Sequence, residues 1–338
     1  MGAIRKHPIR LLVAMLALLG AACSPSDPLH QPLTALADIH LPKDTGRAPA
    51  YDLIALDPRN GHLYIAHLSK GELDVVDVRN RKFLGAVQGT TDIKGVALSG
   101  DPNIVFASEG SPQSVGVIDV AKMKVVTQVA VGGSPDGITY DPSHDVVMAS
   151  LTNIKSVAVI DAKTYKVKAN IALPGAPELS AVDTKGGHLY QAINDLSEVV
   201  QIDVPNQQLT ATFKGCDING PKGLAFDEDQ GYLFVANSPV TKAGSPTVSI
   251  IDVLLDRCLG TVDIGSVPDQ VAINPTLHHL YVASEGSRNL SVIDTVSFKP
   301  LGTVGTGPAA NSVAVDPNTN DVYVVVGRAG TVAVYHDP

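Results

Sequence analysis

Short apolar runs, partly alternating with polar residues and too short for a helix, follow one another from residue 36 onwards. The stretch 267–307, VPDQVAINPTLHHLYVASEGSRNLSVIDTVSFKPLGTVGTG, holds four: QVAIN, LYVAS, LSVID and LGTVG. Val, Leu and Ile dominate each run, and turn residues separate them, which predicts four antiparallel strands joined by tight turns. A lone sheet of this size cannot bury both faces and needs neighbours of its own kind. The chain supplies them. The third run recurs as LDVVD, VGVID, VAVID, EVVQID, VSIID, LSVID and VAVYH, ending at Asp77, Asp119, Asp161, Asp203, Asp252, Asp294 and His336 in steps of 42, 42, 42, 49, 42 and 42 residues. The second run recurs with it, as HLYIA, IVFAS, VVMAS, HLYQA, YLFVA, HLYVA and DVYVV.

Four strands per period, seven times, predicts an all-β fold: a seven-bladed β-propeller of four-stranded blades. The long step reads as one blade with extra loop near 217–219 and 238–246. The last blade ends on its third strand, and LADIHLP at 36–42 resembles the outer strands TQVAVGG and ANIALPG. That N-terminal strand is expected to complete the last blade and close the ring, removing an open sheet edge. Residues 36–338 are therefore expected to form one domain.

Composition narrows the function. Charged residues are 17% and hydrophobic ones 44% of 338, so disorder is excluded as a description of the whole. Net charge is −9, and setting aside residues 1–22, with Arg5, Lys6 and Arg10 and no acid, leaves 22 basic against 34 acidic residues. Such a balance argues against nucleic acid, whose backbone is bound through Lys and Arg. Aromatics are 4% with no Trp, which disfavours a base-stacking platform.

Residues 1–22 read as an export signal: a basic start, the apolar run 11–19 and the small residues Gly20-Ala21-Ala22. The run is too short to span a membrane. LLGAAC resembles the lipobox of bacterial lipoproteins, with its Leu four residues before Cys23 where three is usual. The two outcomes are lipidation of Cys23 and plain secretion after Ala22. For a lipoprotein, Ser24 points to the outer membrane. Residues 23–35, with Pro25, Pro28 and Pro32, read as a stiff tether.

The units LYVAS, LFVAN and LYIAH, the closing VID, and the G-x-P-x-G openings GSPDGITYDP and NGPKGLAFDED resemble the YVTN-type repeats of YncE-like propellers. The resemblance covers nearly all of the exported part. It implies the fold and leaves the function open, since that family hosts diverse roles. The Trp-Asp and Gly-His marks of WD40 blades are missing.

In a propeller, the loops leading into the inner strands share one face with those between strands two and three. The residue five before the end of each inner strand gives a ring of Asp52, Lys94, Asp136, Glu178, Lys222, Asp269 and Asn311. One reading is a collar that recognises a ligand; the other is a self-neutralising ring of alternating signs. Two interleaved lysines compete with any hard cation for the carboxylates, so no metal is assigned there. On the same face His67, beside Asp52 or Asp269, is a weak candidate general base, the alternative being a solvated loop residue. Glu109, Asn153, Asn194, Asp195, Asn237, Glu285 and Arg328 join that face. His62, His188 and His279 share one repeat position on separate blades and read as turn residues. The recurrent Asp of VID reads as a strand-end residue bonding turn amides. Cys216 and Cys258 are expected to stay unbonded, because they are placed at opposite ends of seven-residue outer strands, over 20 Å apart by the rise per residue.

No CxxCH, GxSxG, HExxH or P-loop occurs, and GTGPAA at 305–310 leads into a strand, so no cofactor is implied. The reading is an exported binding or scaffold propeller, monomeric, with an unidentified protein or small-molecule partner and no membrane contact except a lipid anchor. The alternatives are a channel-mouth enzyme (a metal-assisted lactonase, or a lyase with His67 as base) and an accessory subunit of an envelope redox system.

Overall fold

A computed structural model describes residues 31–44, 49–239 and 244–338. Residues 1–22, expected to be an export signal, and Cys23 lie outside the described residues. The chain forms seven antiparallel sheets, six of four strands and a seventh whose fourth, outer position is shared by two short strands. Blade 1 comprises Ile54–Asp57, His62–His67, Glu72–Asp77 and Lys82–Val87, from the channel outwards. Blades 2 to 6 repeat it over 93–130, 135–172, 177–213, 221–263 and 268–305. Blade 7 has Ser312–Asp316, Asp321–Val326 and Thr331–His336.

Its outer edge is completed from the N-terminal side. Ile39–His40 pairs with Val332 and Thr331, as the resemblance of 36–42 to an outer strand predicts. The pairing begins earlier, with Thr34 opposite His336 and Ala35 opposite Tyr335. Leu33 is buried just before it, in the layer between blades 6 and 7. Leu33, Thr34 and Ala35, read from sequence as the end of a tether, therefore belong to the ring.

The second and third strands are buried almost throughout, because each blade is covered on both sides by its neighbours; the outer strands alternate towards solvent. The core is thus seven layers between blades rather than one centre. One repeat position of the second strand fills each layer. Tyr64, Phe106, Met148, Tyr190, Phe234, Tyr281 and Tyr323 pack in turn between blades 1–2, 2–3, 3–4, 4–5, 5–6, 6–7 and 7–1. Burying each is worth roughly 1.5–3 kcal/mol. At the third strand's end, Asp77, Asp119, Asp161, Asp203, Asp252 and Asp294 each accept the backbone N–H three residues on, at 2.6–3.1 Å. These are the turn bonds expected of the VID aspartates.

The expectation of two free thiols is overturned. Cys216 and Cys258 form a disulfide, with Cα atoms 5.2 Å apart. The error was to measure along the strand. The crossover 214–220 is longer than its four-residue counterparts at 131–134 and 173–176. Positive φ at Gly215, Cys216 and Asp217 turns it down against blade 5. There Ser249 Oγ donates to the Cys216 carbonyl at 2.5 Å, and Cys216 Sγ lies 3.5 Å from the Ile250 carbonyl oxygen. Cys258 pairs with Ile251, beside a bulge in the same strand pair.

Candidate functional site

Each inner strand starts at one face, and five of them are irregular at the start. The register slips by one residue between Ile93 and Gly95, Pro135 and Ile138, Pro177 and Ser180, Pro221 and Leu224, and Pro268 and Val271. Lys94, Asp136, Glu178, Lys222 and Asp269 sit inside these slips. A bulge re-aims a side chain that would otherwise follow the pleat. The G-x-P-x-G opening has a steric reason here. A Cβ at Gly95 or Gly137 would lie 3.1 or 2.9 Å from the carbonyl oxygen of Asp136 or Glu178, and one at Gly223 would overlap that of Asp269. The glycine lets the collar residue of the next blade come close.

The collar residues are brought together. Lys222 Nζ bonds Glu178 Oε1 at 2.8 Å, and Asn311 Nδ2 donates to Asp269 Oδ2 at 3.4 Å. Burial pushes the Asp52 carboxyl up to about 8, with repulsion from Asp269 and Asp136 adding to it and Lys94 and Lys222 opposing. Burial likewise pushes Asp269 up to about 7, against Lys222 and with Glu178 and Asp136. Glu178 is raised by burial in spite of Lys222. Burial would lower Lys222, but Glu178, Asp269 and Asp136 raise it. One or two residues further along the inner strands, Ile138, Leu224 and Gln270 line a 160 Å³ cavity in the channel. Gln270 spans two blades, donating to the Ile54 carbonyl at 2.8 Å and accepting from its N–H at 3.2 Å.

The other residues of this face divide. Glu109 and Asn237 are fully buried and bonded, Glu109 by Ser114 Oγ at 2.5 Å and Asn237 to Ser249 Oγ at 2.8 Å. Asn153 accepts the Ser134 N–H at 2.7 Å, Asn194 donates to the Pro221 carbonyl, and Asp195 accepts the Ala176 N–H. Glu285 and Arg328 are exposed and line a 300 Å³ cavity with Tyr51 and the collar residue Asn311.

His67 is not at the channel mouth. It is 1% exposed, at the end of the second strand of blade 1. Its Nδ1 lies 2.9 Å from Asp74 Oδ2 and its Nε2 3.1 Å from Asp44 Oδ2. Asp44 is also held by Ser69 Oγ at 3.0 Å and Lys70 Nζ at 2.8 Å. Burial pulls the imidazole pKa down, and the two carboxylates outweigh burial and raise it. Both sequence readings of His67, a base beside Asp52 or Asp269 and a solvated loop residue, give way to a buried charge network. Sequence reasoning missed Asp44 and Asp74. Asp74 carried a signal: the same repeat position holds Gly116, Ala158, Val200, Ser249, Ser291 and Ala333 in the other blades.

His62, His188 and His279 start second strands on three separate blades and do not converge. His188 and His279 bond Asp183 and Asp337, at 3.5 and 2.7 Å.

No family model matches the chain, and no curated protein matches it. Among solved structures, a chain of the hydrazine synthase of Kuenenia stuttgartiensis shares its fold, with a TM-score of 0.76 over 87% of this chain and 98% of its own. The two are 18% identical in sequence, and the likeness is one of fold.

Proposed function

We propose that this chain is an exported binding or scaffold propeller of the YVTN-repeat kind. Its channel-mouth face recognises a partner protein or small ligand through a cationic group. The observation that carries the reading is the collar. Four carboxylates (Asp52, Asp136, Glu178 and Asp269) meet two lysines, and Lys222 is already bonded to Glu178. An ammonium or guanidinium seated there would offset the burial, and the lesser repulsion between carboxylates, that raise Asp52 and Asp269. The rigid blades hold these side chains in place before any ligand arrives, which limits the entropy lost on binding. Anchoring at Cys23 to the outer membrane belongs to the same proposal.

The alternative lyase loses its base, because His67 faces into blade 1. The shared fold brings no activity to this chain at the identity seen. The test is affinity capture from a bacterial envelope extract on immobilised protein, wild type against D136K/K222E. Reversing both charges is expected to abolish specific capture while the melting curve stays cooperative. Equal capture by both proteins would move the binding face away from the collar.

A further inference from the structure

We propose that blade 1 carries a divalent metal site, formed by His67 through Nδ1, Glu72 and Asp74, with Asp44 orienting the imidazole. One ligand atom from each of the three lies within 4.8 Å of the other two. The strand pairing creates this arrangement. His67 stands directly opposite Glu72, and Asp74, two residues on, shares the Glu72 face of its strand. The remaining six blades offer no equivalent. Where blade 1 has His67 they have Glu109, Leu151, Ile193, Asn237, Ser284 and Val326, and at the Asp74 position every residue is small or apolar.

Three further observations point to a ligand rather than to an isolated ion pair. The Asp44 carboxylate lies 3.1 Å from Nε2, so Nε2–H can donate to it and leave the Nδ1 lone pair facing Asp74. A carboxylate behind a ligating imidazole is how metal-bound histidines are held. Glu72 is steadied by Gln88 Nε2, 3.3 Å from Oε1. The Tyr51 ring covers the imidazole at 4.2 Å between centroids, and its hydroxyl is buried without a partner among the described residues. Around a neutral imidazole, Asp44, Glu72 and Asp74 against Lys70 leave two negative charges in a largely buried pocket. A divalent ion cancels them, displacing to solvent any proton on Nδ1. One imidazole and two carboxylates suit Zn²⁺, Mn²⁺ or Fe²⁺ and leave coordination positions for water.

The site is separate from the collar, so its fate and that of the proposed binding function can be told apart. The experiment is a calorimetric titration of untagged, chelator-stripped protein with Zn²⁺, with metal content measured after gel filtration. One ion per chain is expected, with affinity lowered at least tenfold in E72Q, lost in H67Q and unchanged in the cavity variant E285Q. No stoichiometric uptake by the wild type, or equal uptake by E72Q and H67Q, would overturn the proposal. Should H67Q not fold, as judged by circular dichroism, E72Q decides alone, since Glu72 is only half-buried.

Discussion

Asp52 and Asp269 hold their protons to about pH 8 and about pH 7, chiefly because they are buried at the mouth of the channel. In the unfolded chain an aspartate ionises near 3.9. Between about pH 4 and 8 the folded protein therefore carries protons that the unfolded chain has lost. Stability from these groups is complete below the unfolded pKa and is lost as pH rises through 7 and 8. D52N removes the titration and keeps the shape. Its Tm is expected to fall less than that of the wild type between pH 6 and 9, by roughly several °C. Parallel profiles would show that Asp52 is ionised throughout. The collar itself was legible in the sequence, because the repeat places its members at one position. The surroundings of His67 were not. Asp44 follows the closing strand and stands outside the repeat, so no repeat position marked it as the partner of Nε2.

Strands and turns followed from the 42-residue period, because each was specified seven times over. What the period could not convey was the path of the one long crossover. Residues 214–220 have no counterpart of equal length at 131–134 or 173–176, and their descent onto blade 5 brings Cys216 to Cys258. The bridge ties the crossover to the outer strand of blade 5 across a separation of 42 residues. By the chain-entropy argument a loop of that length contributes about 4 kcal/mol. C216S/C258S is accordingly expected to melt well below the wild type, and a reductant to lower the wild type to the same point. Recovery of both residues as free thiols by mass spectrometry under non-reducing conditions would refute the bridge.

Blade 7 is the one blade whose third and outer strands are not consecutive in the chain, and its closing strand covers the layer between blades 7 and 1. That layer is filled by Tyr323, Ile54, Leu63 and Ile39, the last from the closing strand. Ile39 is 1% exposed and pairs with Val332, as Ile171 pairs with Val157 in blade 3. The two isoleucines occupy the same place in their blades, and truncating either removes similar burial, at about 2–5 kcal/mol. Their consequences should differ. The outer strand of blade 3 follows directly from the third strand of its own blade and leads into blade 4, so I171A leaves a local cavity in an intact circle. The closing strand is joined to blade 1 only through the segment after Leu41, so in I39A it can detach as a unit and expose the whole layer behind it. Hydrogen exchange should show this directly. In I39A protection is expected to fall across 331–336 and 321–326 before it falls elsewhere, with a less cooperative melt; in I171A the loss stays within blade 3. Matching exchange maps for the two variants would mean that the closing strand adds burial but does not hold the ring shut.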